Sequence, residues 1–276
     1  MKSTKVRGSV VKVSVVIAVH NGERWIAGCV ESVLAQTFQD FEIIVVNDGS
    51  SDGTLEKLET VSSERMTVID FEVCRGVSTA RNEGIRAASG EYVAILDADD
   101  VASPERLQEQ VNYLDSHPYI ALVGSYFELQ GELGSKKVVT RPLDDEKVRQ
   151  AIFYSCPVAN TTVMMRREAF LAVGGYPSEF DHGEDYRFLV RFVKIYRVAN
   201  IPRILVLKRE TKGGLTFTIS AWRHFAMGLS HRLFAASELK ASPLQYIRAI
   251  GVSVGILLVR MLRLNRETVK EWMHLT

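Results

Sequence analysis

The 276-residue chain contains three cysteines, Cys29, Cys74 and Cys156, and they stand too far apart for any metal-ligand spacing. An odd, scattered set implies reduced thiols in the cytosol and argues against a disulfide framework. Its six histidines are scattered too, with no His-Glu-x-x-His pair for a catalytic zinc. No Gly-x-x-x-x-Gly-Lys-Ser/Thr occurs, which speaks against a P-loop NTPase. Low-complexity tracts and internal repeats are absent. Long apolar runs are missing as well. Val13–Val19 is interrupted by Ser14; behind the basic Lys2, Lys5, Arg7 and Lys12 it is short for a secretory signal and lacks a small-residue cleavage site. Ala249–Val259 falls well short of the ~20 residues a spanning helix needs.

What is present fits a packed globular protein. Hydrophobic residues make up 46% and charged residues 24%. The length is long for one domain and short for two, so one α/β domain with an extension is expected. A net charge of +1 hides an uneven distribution. Residues 201–276 carry twelve Lys and Arg against four Asp and Glu, whereas the first hundred carry ten against sixteen. An acidic front half suits a metal site. A basic tail suits an anionic surface, or simply a solvated helix face.

Hydrophobic patterning alternates between strand and helix. Val13–Val19 is β-branched and bounded by Asn21-Gly22, which reads as a buried strand. A helix follows from about Glu23, then a strand at Phe41–Val46, a helix from about Thr54 and a short strand at Thr67–Phe71. Ser78–Ala88 reads as a helix, and Tyr92–Leu96 as a buried strand running into Asp97-Ala-Asp-Asp. Ser103 is expected to cap the next helix, with Pro104 at its first position and Leu107, Val111 and Leu114 inward. Further on come a strand at Ile120–Phe127, a hairpin over Gly131–Thr140, helix Asp144–Phe153, strand Thr161–Met165, helix Glu168–Val173, helix Glu184–Tyr196 and strand Arg203–Lys208. Helices are expected from about Ile219 on. This alternation implies a parallel sheet with helices on both faces, whose ligands sit at the carboxyl ends of the strands. His20-Asn21, Asn47-Asp48-Gly49 and Asp97–Asp100 each lie at such an end. Three polar clusters on one rim point to a binding site.

Asp97, Asp99 and Asp100 offer hard oxygen ligands on one short loop, suited to Mg2+ or Mn2+ held together with substrate phosphates. The same triplet also serves as a solvated cap, since many helices begin with acidic residues. Asp48 can accept a hydrogen bond from a pyrimidine N–H, or be an ordinary turn residue. Arg81 stands on a helix facing the same rim, where it balances donor charge or is simply exposed. Glu184-Asp185 opens an amphipathic helix after Gly174–Gly183. The dipole favours an ionised carboxylate there, which suits a general base and equally an ordinary cap.

In order along the chain, Val13-Ser-Val-Val-Ile-Ala-Val-His-Asn, Val46-Asn-Asp-Gly-Ser-Ser-Asp-Gly-Thr, Gly76-Val-Ser-Thr-Ala-Arg-Asn-Glu-Gly-Ile, Gly90-Glu-Tyr-Val-Ala-Ile-Leu-Asp-Ala-Asp-Asp and Gly174-Gly-Tyr…Glu184-Asp-Tyr resemble the motifs of family 2 glycosyltransferases. The resemblance covers roughly residues 12–210. It implies the GT-A fold: a Rossmann-like, mostly parallel sheet flanked by helices, here with a C-terminal helical extension. Residues 1–218 would form the transferase domain, about 12–100 holding the nucleotide and about 101–218 the acceptor, with 219–276 as the extension. Carried over by motif, Ala18, His20, Asn21, Asp48, Arg81 and Asp97 would contact the nucleotide. Asp99 and Asp97 would hold the metal, with Asp100 as a further candidate. Asp185 would be the catalytic base and Glu184 its support. Ala18 stands where the family usually has proline, His20 where it often has tyrosine, and Asn160 replaces a common histidine. Lys208-Arg-Glu-Thr-Lys-Gly-Gly replaces the usual tyrosine-arginine-histidine segment.

The activity so implied is an inverting transfer of sugar from a nucleotide-sugar donor, a UDP-sugar foremost, to an acceptor hydroxyl, with Mn2+ or Mg2+ as cofactor. Expected partners are the donor and a glycan or lipid-linked acceptor in cell-surface polysaccharide or glycolipid assembly, and no nucleic acid. The expected location is cytoplasmic, with the basic C-terminal helices as a candidate peripheral contact at the inner face of the membrane. Two alternatives stay open. A sugar nucleotidyltransferase would want a glycine-rich, basic triphosphate loop, which His20-Asn-Gly-Glu lacks. A non-catalytic nucleotide-sugar binder would be favoured by loss of the Asp-x-Asp or Asp185, and both are present.

Overall fold

The computed structural model describes residues 11–131, 134–179, 182–210 and 221–261. Several sequence features lie outside these residues: the basic N-terminus, Phe180 and Asp181 of the Gly174–Gly183 stretch, Thr211–Gly214, and Arg263, Arg266 and Lys270 of the tail. In chain order the elements are β1 (Val13–Val19), α1 (Ile26–Leu34), β2 (Phe41–Asp48), α2 (Thr54–Thr60), β3 (Met66–Phe71), α3 (Val77–Ala87) and β4 (Tyr92–Ile95). Then come β5 (Val101–Ala102), α4 (Arg106–Ser116), β6 (Ile120–Gln130), β7 (Lys136–Val139), α5 (Asp145–Ala151), β8 (Met164–Arg166), α6 (Arg167–Val173), α7 (Glu184–Ile195), β9 (Arg197–Arg209), α8 (Ala221–Glu238) and α9 (Pro243–Met261).

The described strands form one sheet in the order β3-β2-β1-β4-β8-β6-β9-β5, with β7 paired to β6. β3, β2, β1 and β4 are parallel, as right-handed βαβ crossovers require. β8 enters antiparallel to β4 and β6, so the second half is mixed, although β6 and β9 again run parallel. The result is an α/β fold with a curled, mostly parallel sheet. Side chains alternate across it. Val13, Val15, Ile17 and Val19 of β1 join one core with α1 and α4, while Val16 joins the other with α3, α6 and α7. A fully buried Ile or Val of this kind stabilises the fold by about 1.5–3 kcal/mol.

Three expectations are corrected. α4 begins at Arg106 with Glu105 before it. The Ser103 hydroxyl is buried without a partner. Gln36, at the end of α1, does the capping instead: its Oε1 accepts from Leu107 N at 2.9 Å and its Nε2 donates to Ser103 O at 2.6 Å. Thr161–Met165 is not one strand, because Asn160–Thr162 forms a 3-10 turn before β8. The last strand starts at Arg197 rather than Arg203. Pro202, which lacks an N–H for the ladder, sits where the β6 register jumps from Ser125↔Ile201 to Tyr126↔Ile204, so the strand continues through a bulge. Finally, Gly251-Val-Ser-Val-Gly255 spells a nucleophile elbow, Gly-x-Ser-x-Gly, but lies inside α9. There Ser253 is buried and its hydroxyl donates to Ala249 O, so no strand-to-helix turn exposes it.

Candidate active site

The carboxyl ends of β1 and β2 are tied together. His20 Nδ1 lies 2.7 Å from Asp48 O. Asn21, at φ 53, places its Oδ1 to accept from Ser51 N at 2.8 Å, and its own N–H donates to Ser50 Oγ at 2.8 Å. Asn tolerates this left-handed backbone because its short side chain bonds locally. His20 is exposed and Ala18 half-buried. Asp48 is buried, and its oxygens accept from Arg75 N at 2.6 Å and Gly76 N at 2.9 Å. It thereby latches the loop entering α3. The Cys74 thiol also donates to Asp48 Oδ2 at 3.4 Å, so it is Oδ1 that keeps a lone pair for a further donor.

α3 carries Arg81 toward the centre of the rim. Its guanidinium, 8% exposed, donates through Nη1 to Glu184 Oε1 at 2.7 Å and through Nη2 to Asp97 Oδ1 at 2.9 Å. Residues distant in sequence, on α3, the loop after β4 and α7, therefore meet at one cation. Burial works to lower the Arg81 pKa, but Asp97 and Glu184 outweigh it and hold the group charged. Asn82 secures the neighbouring segment. Its Oδ1 accepts from Tyr176 N at 2.9 Å and its Nδ2 donates to Tyr176 O at 2.8 Å. Gly175 is needed beside it: φ is +80, and a Cβ would stand 2.7 Å from Asn82 Oδ1. So held, the Tyr176 ring lies against Arg81, 5.5 Å from guanidinium carbon to centroid.

The acidic loop leaves β4 in the middle of the sheet and ends at β5 on its far edge. Asp97 N donates to Thr161 Oγ1 at 3.1 Å, and Asp100 N to Asp97 O at 3.0 Å. Beneath it Arg106, almost wholly buried, donates to Ile95 O at 2.7 Å and Gln110 Oε1 at 3.1 Å. Desolvation pushes its pKa down to about 10. β5 pairs antiparallel with β9, Val101↔Leu207, and so delivers the next two residues of β9 onto the loop. Lys208 Nζ lies 3.3 Å from Asp97 Oδ2 and 3.4 Å from Asp100 Oδ2. Arg209 donates from its backbone N to Asp100 Oδ1 at 3.0 Å and from Nη1 to Asp99 O at 2.9 Å.

These contacts divide the three aspartates. Burial alone would raise Asp97, but Lys208 and Arg81 together hold its carboxyl below the usual range. Asp100 is fully buried, and desolvation, with the like charges of Asp97 and Asp99, pushes it up to about 7 despite Lys208. A metal was expected at Asp97 and Asp99, with Asp100 as a further candidate. Among the described residues no three metal-ligating side chains converge. Asp97 and Asp99 are hard donors at a strand end, which fits Mg2+ or Mn2+ if a substrate diphosphate completes the shell. Asp100 fits poorly, since it is fully buried with Lys208 and a backbone N–H on its oxygens, whereas Asp97, held by Arg81 and Lys208, would have to release the mobile lysine to take the ion.

α7 opens at Gly183, φ 75, where a Cβ would run into the His231 ring of α8. His231 Nδ1 accepts from Arg187 Nε at 3.3 Å, and burial, followed by nearby Arg187 and Arg232, lowers its pKa to about 4. A neutral ring thus seats the start of α7 against α8. Glu184 is buried and paired with Arg81. Asp185, half-buried, accepts from Tyr186 N at 2.7 Å. Desolvation and then Glu184 push its carboxyl up to about 6. Two open depressions of about 460 and 470 Å3 elsewhere on the surface contain none of these residues. Sequence reasoning did not single out Tyr176, Asn82, Arg106 or Lys208 as site residues. Asn82 and Tyr176 lie inside the resembling motifs, and Lys208 left a signal as a basic pair ending a strand where the resembling family has tyrosine, whereas Arg106 left none.

The chain matches the family model described as glycosyl transferase family 2 over residues 14–174. An uncharacterized glycosyltransferase of Haemophilus influenzae is 33% identical over 89% of this chain and 77% of its own length. The Escherichia coli UDP-Glc:alpha-D-GlcNAc-diphosphoundecaprenol beta-1,3-glucosyltransferase WfgD is 28% identical over 68% of this chain and 72% of its own. In fold, the chain is similar to S. aureus TarS 1-349 in complex with UDP-GlcNAc, with a TM-score of 0.68, 21% identity and 93% and 74% of the two chains covered. It is also similar to a mannosyltransferase from Pyrobaculum calidifontis in complex with GDP-Man and Mn2+, with a TM-score of 0.64, 18% identity and 96% and 79% covered.

Proposed function

The chain belongs to glycosyl transferase family 2, and we propose that it moves a sugar from a nucleotide-sugar donor, a UDP-sugar foremost, to an acceptor hydroxyl with inversion. The observation carrying this reading is Arg81, which joins the acidic loop to the helix that bears Asp185. It ties the acidic loop and the start of the helix bearing a carboxylate of raised pKa to one guanidinium.

In this mechanism Ala18, His20, Asn21 and Asp48 receive the base of the nucleotide, with Asp48 accepting its N–H. Asp97 and Asp99 would hold Mn2+ or Mg2+, which when bound would neutralise the diphosphate. The acceptor oxygen attacks the anomeric carbon in line. The bond from that carbon to the diphosphate oxygen breaks, the nucleoside diphosphate leaves, and Asp185 takes the hydroxyl proton. A carboxyl near 6 is still mostly ionised at neutral pH and basic enough to accept. Glu184 fixes Arg81 rather than touching the acceptor. Support for UDP comes from the name of WfgD and from the TarS complex, and support for a metal from the Mn2+-containing mannosyltransferase. Residues 1–218 serve as the transferase unit, about 12–100 for the donor and about 101–218 for the acceptor, and 219–276 as an extension whose described part is α8 and α9.

The acceptor reading is a glycan or lipid-linked glycan in cell-surface polysaccharide or glycolipid assembly, met at the inner face of the membrane. WfgD, whose name specifies a diphosphoundecaprenol acceptor, supports it. So does α9, which exposes Leu244, Ile247, Ile250, Val254 and Leu258 along one side while Ala249, Ser253 and Leu257 are buried on the other. Exposed Arg248 borders this stripe, and Arg260, Arg263, Arg266 and Lys270 follow in sequence, charges complementary to anionic lipid. None of the described helices is long and apolar enough to cross a membrane. The deciding experiment for the activity is release of nucleoside diphosphate from a panel of UDP-, dTDP- and GDP-sugars with Mn2+ or Mg2+. No release from any donor, with lipid-linked and free glycan acceptors present, would overturn the reading.

A further inference from the structure

Lys208 gives the acidic loop a fixed positive charge. Its ammonium spans Asp97 Oδ2 at 3.3 Å and Asp100 Oδ2 at 3.4 Å, and Arg81 holds the other Asp97 oxygen at 2.9 Å. Asp97 is thus shared between two cations before any substrate arrives. A divalent ion drawn to Asp97 and Asp99 would meet the Lys208 ammonium within a few ångströms, where like charges repel strongly in a poorly solvated site. The Lys208 backbone cannot shift along β9 without breaking the β5 pairing at Leu207 and the Arg209–Asp100 backbone bond, so the residue stays beside the loop. Its long side chain can still swing outward, since about a third of it is exposed.

We propose that Lys208 is an internal counter-ion that keeps a divalent cation out of the Asp97–Asp100 loop until a nucleoside diphosphate arrives, and then transfers its charge from Asp97 to that diphosphate. This rests on the reading of the loop as the donor and metal site. The diphosphate brings negative charge enough for both cations. Metal and lysine then flank it, the metal on Asp97 and Asp99, the lysine on a phosphate oxygen. Binding of metal and nucleotide becomes mutually dependent, which two linked equilibria require to be reciprocal. A neutral residue at this position, such as the tyrosine of the resembling family, would leave the loop open to metal alone.

The test measures free Mn2+ by electron paramagnetic resonance during titration of the intact chain, with and without UDP. Wild type, Lys208→Met, Lys208→Gln and the charge-preserving Lys208→Arg are compared, with thermal melts to select folded variants. Without UDP, Lys208→Met or Lys208→Gln should bind Mn2+ about tenfold or more tighter than wild type, and Lys208→Arg should resemble wild type. With UDP the gap should close, and the neutral variants should bind UDP itself more weakly. Equal Mn2+ affinity of wild type and the neutral variants without UDP would overturn the inference while leaving the metal site intact. A gap that persists unchanged with UDP would also overturn it. Absence of Mn2+ binding in every protein, with UDP present, would remove the metal reading and this inference together.

Discussion

Asp48 and Asp185 stand at two ends of one rim and are treated in opposite ways. Asp48 is buried under two backbone N–H donors from the loop it latches. Asp185 receives one short-range N–H, has Glu184 beside it, and is pushed up to about 6. Donors stabilise the charged form of a carboxylate, whereas burial and a neighbouring anion penalise it. The difference separates a carboxylate whose oxygens hold a loop in place from one that can take up a proton near neutral pH. Arg81, on the helix that the latched loop enters, ties the acidic loop to α7.

The comparison breaks most visibly at Asp185. Asp185→Asn keeps the shape and removes the basicity, so turnover should fall by roughly 10²–10⁴-fold with donor affinity nearly unchanged. Wild-type kcat/KM should rise with pH through about 6 and then level, and the residual activity of the variant should lack that limb. Near wild-type turnover in Asp185→Asn with an inactive Glu184→Gln would reverse the two roles. Stability should move the other way. A folded-state pKa above the ordinary 3.8 means the bound proton favours the fold, a contribution complete below that value and lost as pH rises through about 6. Asp185→Asn should therefore melt higher than wild type at about pH 8, the gap closing toward about pH 4.

Arg81→Met tests the link between the ends. It strands Asp97 and Glu184, and breaking a buried pair costs about 3–5 kcal/mol. At 2–4 °C per kcal/mol for a chain of this size, a melting temperature lower by roughly 10 °C is expected. Arg81→Lys, a single point charge, should recover only part of it. An unchanged melt would mean that the two carboxylates neutralise by protonation and need no arginine.

Asp48→Ala sharpens the other end. Loss of a hydrogen bond to a charged group should weaken UDP by about 1.5–3 kcal/mol and erode its preference over ADP. Hydrogen exchange at Arg75 and Gly76 should speed up in the same variant, since their acceptor is gone. Faster exchange with unchanged UDP affinity in calorimetry would make Asp48 a latch and nothing more. The smallest effect on folding belongs to α9, remote from both carboxylates. Leu244→Ser with Ile247→Ser should alter stability by no more than about 0.5 kcal/mol per site, as exposed substitutions do. Flotation with anionic liposomes at low salt should nonetheless be lost. Retained flotation would assign the stripe to another contact.

The first half was legible in the sequence because its central strands β1, β2 and β4 are buried on both faces, and Val13–Val19 and Phe41–Val46 read as continuous β-branched runs. The polar clusters that end those runs duly meet, His20 with Asp48 and Asn21 with Ser51. The second half was less legible for identifiable reasons. β5 is two residues long and carries no periodicity. Pro202 disguises the middle of β9, because the bulge that accommodates it is a property of the pair and not of either strand. Ser103 offers a capping signature that Gln36 pre-empts from α1. Lys208 was visible as an unusual residue, but its place beside Asp97 follows from a β5–β9 register that short apolar runs do not encode.

That register also limits how the molecule can diverge. The four residues Asp97–Asp100 run from the sheet's centre to its far edge, with both ends anchored in ladders. Strand side chains alternate with a period of two, so inserting one residue here would turn Val101 and Ala102 over and draw Lys208 out of step with the aspartates. Deletion would do the same in the opposite sense. Lineages that change the sugar or the acceptor are therefore expected to hold this loop at constant length and to vary their insertions elsewhere, a pattern visible in the gaps of any alignment of its descendants.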